Sequence, residues 1–171
     1  MYKNKIIFKK NILIPKKTFE LFKKSIIFQD QNFMILNKWS TIATQGGSKI
    51  NISIDDIIKS ISPDHRLVHR LDKDTSGLLI VAKNLNSAKI FGKLFKSSLI
   101  EKTYIALCEG TPKQKESNVL LDIKNKEDKI EHTKTRYKIL DVQNNISLIQ
   151  YKPLTGKTHQ LRIVSKNLGG P

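Results

Sequence analysis

Cysteine, long apolar runs and acidic residues are all scarce in this chain of 171 residues. Cys108 is the only cysteine, so an intrachain disulfide and a cysteine-based zinc cluster are excluded. It lies in an apolar run and is expected in the core. The apolar runs at residues 6–8 and 12–14 are too short for a signal peptide or a membrane span. We therefore expect a cytoplasmic protein with no membrane segment.

The shortage of acids leaves a large positive charge. The chain has 31 Lys and Arg against 15 Asp and Glu, which gives a formal net charge of +16. A cation excess of this size favours a polyanionic partner such as nucleic acid. Nearly all the cations are Lys, and Ile and Asn are also abundant, a composition that AT-rich genomes produce without a functional reason. Charge alone therefore leaves nucleic-acid binding and compositional bias as equal alternatives.

The pattern of apolar residues predicts an α+β fold, in which a mixed, mostly antiparallel sheet is flanked by helices. The predicted strands are residues 25–29, 33–38, 78–82, 104–108, 119–123, 136–142 and 146–151, with hairpin turns at residues 30–32 and 143–145 and a lone strand-like piece at residues 12–15. The predicted helices are residues 50–61, residues 84–98 with Asn84 or Asn86 as N-cap, and a last helix capped by Thr158, ended by Gly169-Gly170 and directed inward by Leu161, Val164 and Leu168. Residues 113–131 are polar and are expected to be mostly loop around one short strand.

The segment at residues 66–82, R-L-V-H-R-L-D-K-D-T-S-G-L-L-I-V-A, contains the most informative carboxylate. Asp72 lies in a polar turn between two apolar, strand-like pieces, with His69, Arg70 and Lys73 close to it in sequence. Nearby cations favour the ionised form of an acid, and an ionised carboxylate on a loop can act as a nucleophile. Taken alone, the same residue is more typical of an Asx-turn than of a catalytic group. The pattern by itself names no reaction.

Four segments, in order along the chain, resemble the motifs of the RluA/RluC-type RNA pseudouridine synthases. F-M-I-L-N-K at residues 33–38, followed by Gly46-Gly47, resembles the first motif, and H-R-L-D-K-D-T-S-G at residues 69–77 resembles the second. E-K-T-Y-I-A at residues 101–106 resembles the K-x-Y-x-A strand, and P-L-T-G-K-T-H-Q-L-R-I at residues 153–163 resembles the third motif. The resemblance covers roughly residues 25–171 and implies the catalytic fold of that family.

This resemblance implies that the protein isomerises specific uridines to pseudouridine in RNA, with large-subunit ribosomal RNA as the expected substrate. Asp72 would be the nucleophile, Arg162 would pair with it and keep it ionised, and Tyr104 would lie against the target base. No cofactor and no metal is expected. Without the family, Tyr104 would be a core residue, and the face formed by His159, Arg162 and Lys166 would be solvated.

The resemblance also implies RNA contacts and a state of assembly. Arg70 is expected to meet RNA or to fill the gap left by the extruded base, and Lys38 and Lys102 are expected to contact phosphates. His69 is given no role. The partner is expected to be RNA, the protein a monomer, and no small-molecule cofactor is expected.

The chain also departs from the family pattern. Trp39 and Thr41 replace the usual Pro and Gly of the first motif, and Val164 stands where a histidine is usual. The family's later G-D-x-x-Y-G and L-H-A stretches are not present, so residues 25–171 are expected to be a catalytic domain incomplete at its C-terminus. Residues 1–24 are Lys-rich and are interpreted as a basic, partly disordered tail or as the remnant of an RNA-binding module.

Two alternative functions stay open. One is a truncated relative with impaired catalysis that still binds RNA through its basic surface. The other is a Mg²⁺-dependent aspartyl phosphatase, because D-K-D-T at residues 72–75 has the D-x-D spacing of that class. Against it, the long apolar run follows the first aspartate, whereas that chemistry requires it to precede.

Overall fold

The computed structural model describes residues 13–47, 50–124 and 127–169, and the chain divides into two compact units, Met1–Phe95 and Lys96–Pro171. The elements up to the boundary are α1 (Lys16–Ser25), β1 (Ile26–Gln29), β2 (Phe33–Lys38), α2 (Ile54–Ile61), β3 (Arg66–Leu67), β4 (Gly77–Ala82) and α3 (Leu85–Lys96). The elements of the second unit are β5 (Tyr104–Glu109), β6 (Glu116–Lys124), β7 (Ile130–Gln143), β8 (Ile146–Pro153) and α4 (Gln160–Asn167). None of the helices in the described residues has the length and apolar character that a bilayer crossing requires.

The α+β class is confirmed, with two sheets in place of one. Each sheet has four strands, in the orders β1-β2-β4-β3 and β5-β8-β7-β6. Every pairing between these named strands is antiparallel. The expected parallel component is limited, in the described residues, to an isolated bridge between Ala43 and Ser53.

The first unit begins with a helix that the sequence analysis did not predict. α1 covers residues that were assigned to a partly disordered tail, and its Phe22 is fully buried. Phe22 lies on the face that packs against β1 and β2, so burial of this aromatic ring stabilises the helix. The strand-like piece at residues 12–15 lies partly outside the described residues, and the described part, Leu13–Pro15, has no regular structure.

The predicted hairpin after α1 is confirmed. Asp30 closes it, because its carboxylate accepts the backbone N–H groups of Asn32 (2.7 Å) and Phe33 (2.8 Å). Strand β2 then pairs with β4 over its whole length. The largest fully buried apolar side chains of the unit come from its strands and helices: Phe22, Leu36, Ile54, Ile57, Ile58, Leu79 and Val81.

The two later helices of this unit were predicted with different accuracy. α2 begins at Ile54 and not at residue 50, because Ser53 and Asp56 form a capping box that fixes the first turn. Its end at Ser62 is as predicted. α3 is confirmed with Asn84 as its cap, since the Asn84 side chain accepts the backbone N–H of Ser87 at 2.9 Å.

The second sheet is longer than the sequence suggested. Residues 113–131, expected to be mostly loop, contribute β6 and the start of β7, which pair from Glu116↔Lys138 to Lys124↔Ile130. The inward positions at this end of β7 are occupied by the buried Thr133 and Thr135. Because these side chains are polar, the sequence shows no apolar alternation there, and the part of β7 before residue 136 was not predicted.

The hairpin between β7 and β8 is confirmed. Its turn residues Asn144 and Asn145 both have positive φ angles, 48° and 61°. Two consecutive residues in this region are typical of a type I′ turn, whose twist matches that of the flanking strands, and asparagine tolerates the conformation. The turn therefore sets the pairing from Gln143↔Ile146 to Asp141↔Leu148, and the register shifts between Asp141 and Ile139.

One face of the second sheet carries the core of the unit. α4 packs against β6 and β7 and places Val164, which is fully buried, in a cluster with the rings of Tyr137 and Tyr151. Leu161 and Leu168 pack against the same cluster, so the predicted apolar side of this helix is confirmed. The expected burial of Cys108 is confirmed in the same cluster.

Candidate active site

In the first unit, Asp72 lies on the loop between β3 and β4. Its side chain is half-buried, and its backbone carbonyl accepts the N–H of Thr75 at 3.1 Å, which closes a turn. Gly77 ends the loop with a φ of 122°, a conformation that residues with a side chain rarely adopt. The sequence pattern therefore produces the expected polar turn, with the carboxylate on it.

The residue before Asp72 is held by a buried threonine. The Thr44 hydroxyl donates to the Leu71 carbonyl at 2.6 Å and accepts the Leu71 N–H at 3.1 Å. Thr44 is 2% exposed and Leu71 is 7% exposed, so these hydrogen bonds are shielded from water. The backbone on the N-terminal side of Asp72 is thereby fixed on both its donor and its acceptor.

The residue after Asp72 is held by a buried lysine. Lys38 is fully buried at the end of β2, and its ammonium donates to the carbonyls of Trp39 (3.0 Å), Ile42 (2.9 Å) and Lys73 (3.2 Å). Burial lowers the pKa of Lys38, while the charges of Asp74 and Asp72 act to raise it. The three donors of an ammonium are thus all used inside the protein.

This placement corrects the expectation that Lys38 contacts a phosphate. A fully buried ammonium presents no surface to a ligand, and its contacts join β2 to the Asp72 loop. Lys38 is a positioning residue for that loop.

His69, which was given no role, also supports the loop. Its Nε2 accepts the backbone N–H of Ile80 at 2.8 Å. Ile80 is the residue of β4 next to Val81, where the pairing with β3 ends. The imidazole ring stacks on Phe95, with 4.5 Å between ring centroids. An accepting Nε2 requires the neutral ring. Arg70, two residues before Asp72, is exposed to solvent, as an RNA contact would require.

In the second unit, Arg162 lies on the exposed side of α4. His159 and Lys166 are exposed as well, so the predicted basic face of this helix is present. The predicted cap is wrong: Thr158 does not cap the helix, and the N-cap position is occupied by His159, which has a left-handed φ of 55° and no side-chain capping bond. Gly169 ends the helix with a φ of 92°, as predicted.

The turn before α4 is held by a residue that was not predicted from the sequence. Gln160 is 4% exposed, and its amide oxygen accepts from the Thr155 hydroxyl (2.9 Å) and the Lys157 N–H (3.0 Å). Its amide nitrogen donates to the Lys134 carbonyl (3.3 Å) and the Thr135 hydroxyl (2.9 Å). This buried amide ties the turn before α4 to β7. Its only signal in the sequence was its place beside His159 in the third motif.

Tyr104 and Lys102 lie near the start of β5. Tyr104 is half-buried, pairs in register with Tyr151, and packs against the core cluster of the unit. Lys102 is also half-buried, and burial lowers its pKa. A Cβ added to Gly156 would lie 3.5 Å from the Lys102 ammonium, so this cation sits beside the turn that precedes α4.

The structure therefore groups the predicted site residues unit by unit. Arg70, Asp72 and Lys38 belong to one loop system in the first unit, and Tyr104, Lys102 and Arg162 belong to the second. The pairing of Asp72 with Arg162 stays a prediction. Among the described residues, no group of three or more His, Cys, Asp and Glu side chains is placed to hold a metal ion.

Comparison with known proteins gives a consistent result. The family model for RNA pseudouridylate synthases matches residues 32–167. The ribosomal large subunit pseudouridine synthase C of Rickettsia bellii is 40% identical over 161 residues, a match that covers 85% of this chain and 54% of the relative. A Haemophilus influenzae protein named as an uncharacterized RNA pseudouridine synthase is 39% identical over 155 residues, with 85% of this chain and 69% of the relative covered.

Solved structures agree on the fold. The human RNA pseudouridylate synthase domain containing 4 superposes with a TM-score of 0.78 at 24% identity, covering 90% of this chain and 68% of its own. The human RNA pseudouridylate synthase domain containing 1 gives a TM-score of 0.70 at 26% identity, covering 86% and 66%. The chain spans about half the length of the Rickettsia relatives that it matches. With the motifs and this fold, the chain belongs to the RNA pseudouridylate synthase family.

Proposed function

We propose that this protein isomerises uridine to pseudouridine in RNA, with large-subunit ribosomal RNA as its substrate. The observation that carries the proposal is the family match over residues 32–167, which contains Asp72, Tyr104 and Arg162. Relatives at 40% and 44% identity are named for the ribosomal large subunit, which supports that substrate class. The family match gives no support to the phosphatase alternative.

In this proposal Asp72 is the nucleophile. Its anchored backbone and half-buried carboxylate suit a group that must meet one nucleotide in a fixed orientation. The glycosidic bond from N1 of the base to C1′ of the ribose breaks, the base turns, and C5 bonds to C1′. The C5 proton is lost and N1 gains a proton, so the mass of the RNA does not change.

Arg162 and Tyr104 complete the proposed catalytic set. The Arg162 guanidinium would stabilise the ionised form of the nucleophile, since a nearby cation lowers the pKa of a carboxyl group. The half-buried Tyr104 would offer an aromatic plane to a base that has left its stack. Arg70 and Lys102 are the proposed RNA contacts, the first exposed to solvent and the second beside the turn before α4.

Further parts of the proposal rest on sequence alone. They are a monomeric state, a cytoplasmic location, and a division into a basic segment 1–24 and a catalytic domain 25–171. α1 spans this proposed boundary, so a variant that removes residues 1–14 keeps the N-cap Pro15, whose carbonyl accepts the Phe19 N–H at 3.0 Å, and tests the part of the basic segment that precedes the helix.

Tritium release tests the proposed activity directly. A large-subunit ribosomal RNA transcript labelled with tritium at C5 of uridine is incubated with the protein, and labelled transfer RNA serves as the matched comparison. We expect release from the ribosomal transcript up to a fixed stoichiometry, and none from transfer RNA. Release from transfer RNA alone would overturn the substrate class. Binding without release from either RNA would make the protein an RNA-binding relative.

A further inference from the structure

Four cations share the face of the second sheet that lies opposite α4. Lys134, Arg136 and Lys138 alternate along β7 with buried residues, and all three are exposed. Lys152 on β8 is exposed and pairs directly with Arg136. We call the surface formed by these four residues the basic face.

The acidic neighbours of the basic face balance its charge only in part. Among the described residues, none of its four side chains forms an ion pair. The described acids on this side of the sheet are Glu116, directly opposite Lys138, Asp122, which binds His132 at 2.6 Å, Asp141, opposite Leu148, and Glu109 at the end of β5. Like charges directly opposite each other destabilise a sheet, so the Arg136–Lys152 pair opposes folding unless an anion lies over it.

The arrangement fits the backbone of a nucleic acid better than its bases. Alternate residues of a strand are about 6.8 Å apart, which spaces the three cations of β7 as a row for successive phosphates. Among the described residues of these four strands, the aromatic rings other than His132 are Tyr104, Tyr137 and Tyr151, and their register places all three on the other face. Apart from His132, which is bound to Asp122, no described aromatic ring of these strands is available for stacking with bases on this side, so the contacts are mainly electrostatic.

We propose that the basic face binds the phosphate backbone of RNA as a second contact surface. α4, which carries Arg162, packs on the opposite side of the same sheet, so this surface is separate within the unit from Arg162 and Tyr104. The inference rests on the proposed function for the identity of the polyanion. If the basic face binds RNA, then a part of the RNA away from the target uridine contributes to the affinity of the protein for its substrate.

The experiment measures the dissociation constant of the full chain for a labelled large-subunit ribosomal RNA fragment across a range of salt concentrations. The test variant reverses three charges of the basic face: Lys134→Glu, Arg136→Glu and Lys138→Glu. The control variant reverses three exposed charges on helices of the first unit: Lys17→Glu, Lys24→Glu and Lys89→Glu. Both variants change the net charge equally, so the comparison isolates position.

We expect the test variant to bind at least about 10-fold more weakly and to lose about two units of the slope of log K against log salt, since each phosphate contact contributes roughly 0.7–0.9. The control should lose less than about 3-fold. Equal losses in the two variants would overturn the proposal. So would an unchanged affinity for RNA combined with lost binding to phosphatidylserine vesicles, because the surface would then serve a membrane.

A single substitution separates a loss of RNA binding from damage to the fold. Lys152→Glu converts the repulsive pair with Arg136 into an attractive one. We expect the melting temperature to stay the same or rise while RNA affinity falls about 3-fold or more, two changes that damage to the fold would not produce together. A raised melting temperature with unchanged affinity would overturn the proposal. Tritium release by the wild-type protein reports separately on the proposed catalytic function, so failure of one proposal is distinguishable from failure of the other.

Discussion

The two units hold their candidate catalytic side chains with different chemistry. In the first, a buried ammonium and a buried hydroxyl bind the backbone on either side of Asp72. In the second, the neutral amide of Gln160 binds the turn just before the helix of Arg162. In both units the anchoring side chains bind backbone groups of the segment next to the candidate catalytic residue. They do not use the side chain of Asp72 or Arg162 itself.

The difference predicts unequal sensitivity. Burial of an ammonium carries a desolvation cost, seen in the lowered pKa of Lys38, and its three carbonyl partners and the charges of Asp74 and Asp72 offset that cost. A buried amide carries a smaller cost and does not titrate. The Asp72 loop should therefore be the more sensitive of the two to substitution of its anchor, and the Gln160 network the less sensitive.

The largest effect is expected from Lys38→Met, which keeps the length of the side chain and removes the donors. Three carbonyls lose their partner, so the free energy of unfolding should fall by about 3 kcal/mol or more. Urea unfolding measures it, with the exposed Lys89→Met as control, expected within about 0.5 kcal/mol of wild type. Equal stability of the two variants would show that Lys38 is not an anchor.

A smaller effect is expected from Gln160→Leu. The variant leaves buried polar partners on β7 and in the turn unsatisfied, and should lower the free energy of unfolding by about 2 kcal/mol. Displacement of the start of α4 should also reduce the single-turnover isomerisation rate by roughly 10- to 100-fold. The exposed Gln31→Leu is the control for both measurements. If Gln160→Leu loses more stability than Lys38→Met, the Asp72 loop is not the more sensitive of the two.

Thr44→Val tests the second anchor of the Asp72 loop. The substitution preserves shape but leaves both the N–H and the carbonyl of Leu71 without a partner, so we expect a loss of about 1–2 kcal/mol. Thr44→Ser keeps the hydroxyl and should retain more than half of that stability. The two variants are compared by urea unfolding, and a serine variant as unstable as the valine variant would argue that the methyl group matters more than the hydrogen bonds.

The smallest effect is a dependence on pH at His65, next to β3. This side chain is 6% exposed, its Nδ1 lacks a partner in the described residues, and burial lowers its pKa from 6.5. Below pH 6.5 the unfolded chain binds the proton more readily than the folded one, so stability falls as the pH drops. We expect the free energy of unfolding to fall between pH 7.5 and pH 5, and this fall to be smaller in His65→Leu. A pH profile unchanged by this variant would exclude His65 as its source.

Features set by neighbouring residues were predicted well from the sequence. The Asp30 turn, the Asn84 cap and the Asn144-Asn145 turn each depend on a side chain and backbone groups a few residues away. The inward side of α4 followed from the spacing of its apolar residues. Local chemistry decides these elements, and tertiary packing agrees with it.

Features set by distant partners were missed. Lys38 looks like a surface lysine because its partner Lys73 is 35 residues away in sequence. Gln160 binds β7 across 25 residues, and nothing near it indicates that its amide is buried. The candidate catalytic residues were found through motifs, while the residues that hold their backbone became visible only in the folded structure.

The most direct test of the central claim compares Asp72→Asn with Asp64→Asn, an exposed aspartate of the same unit. Both remove one negative charge with little change of volume. Single-turnover tritium release from ribosomal RNA should fall by about 10³-fold or more in Asp72→Asn and stay within about 2-fold of wild type in Asp64→Asn. An Asp72→Asn variant that folds, binds RNA and isomerises uridine at the wild-type rate would contradict the account.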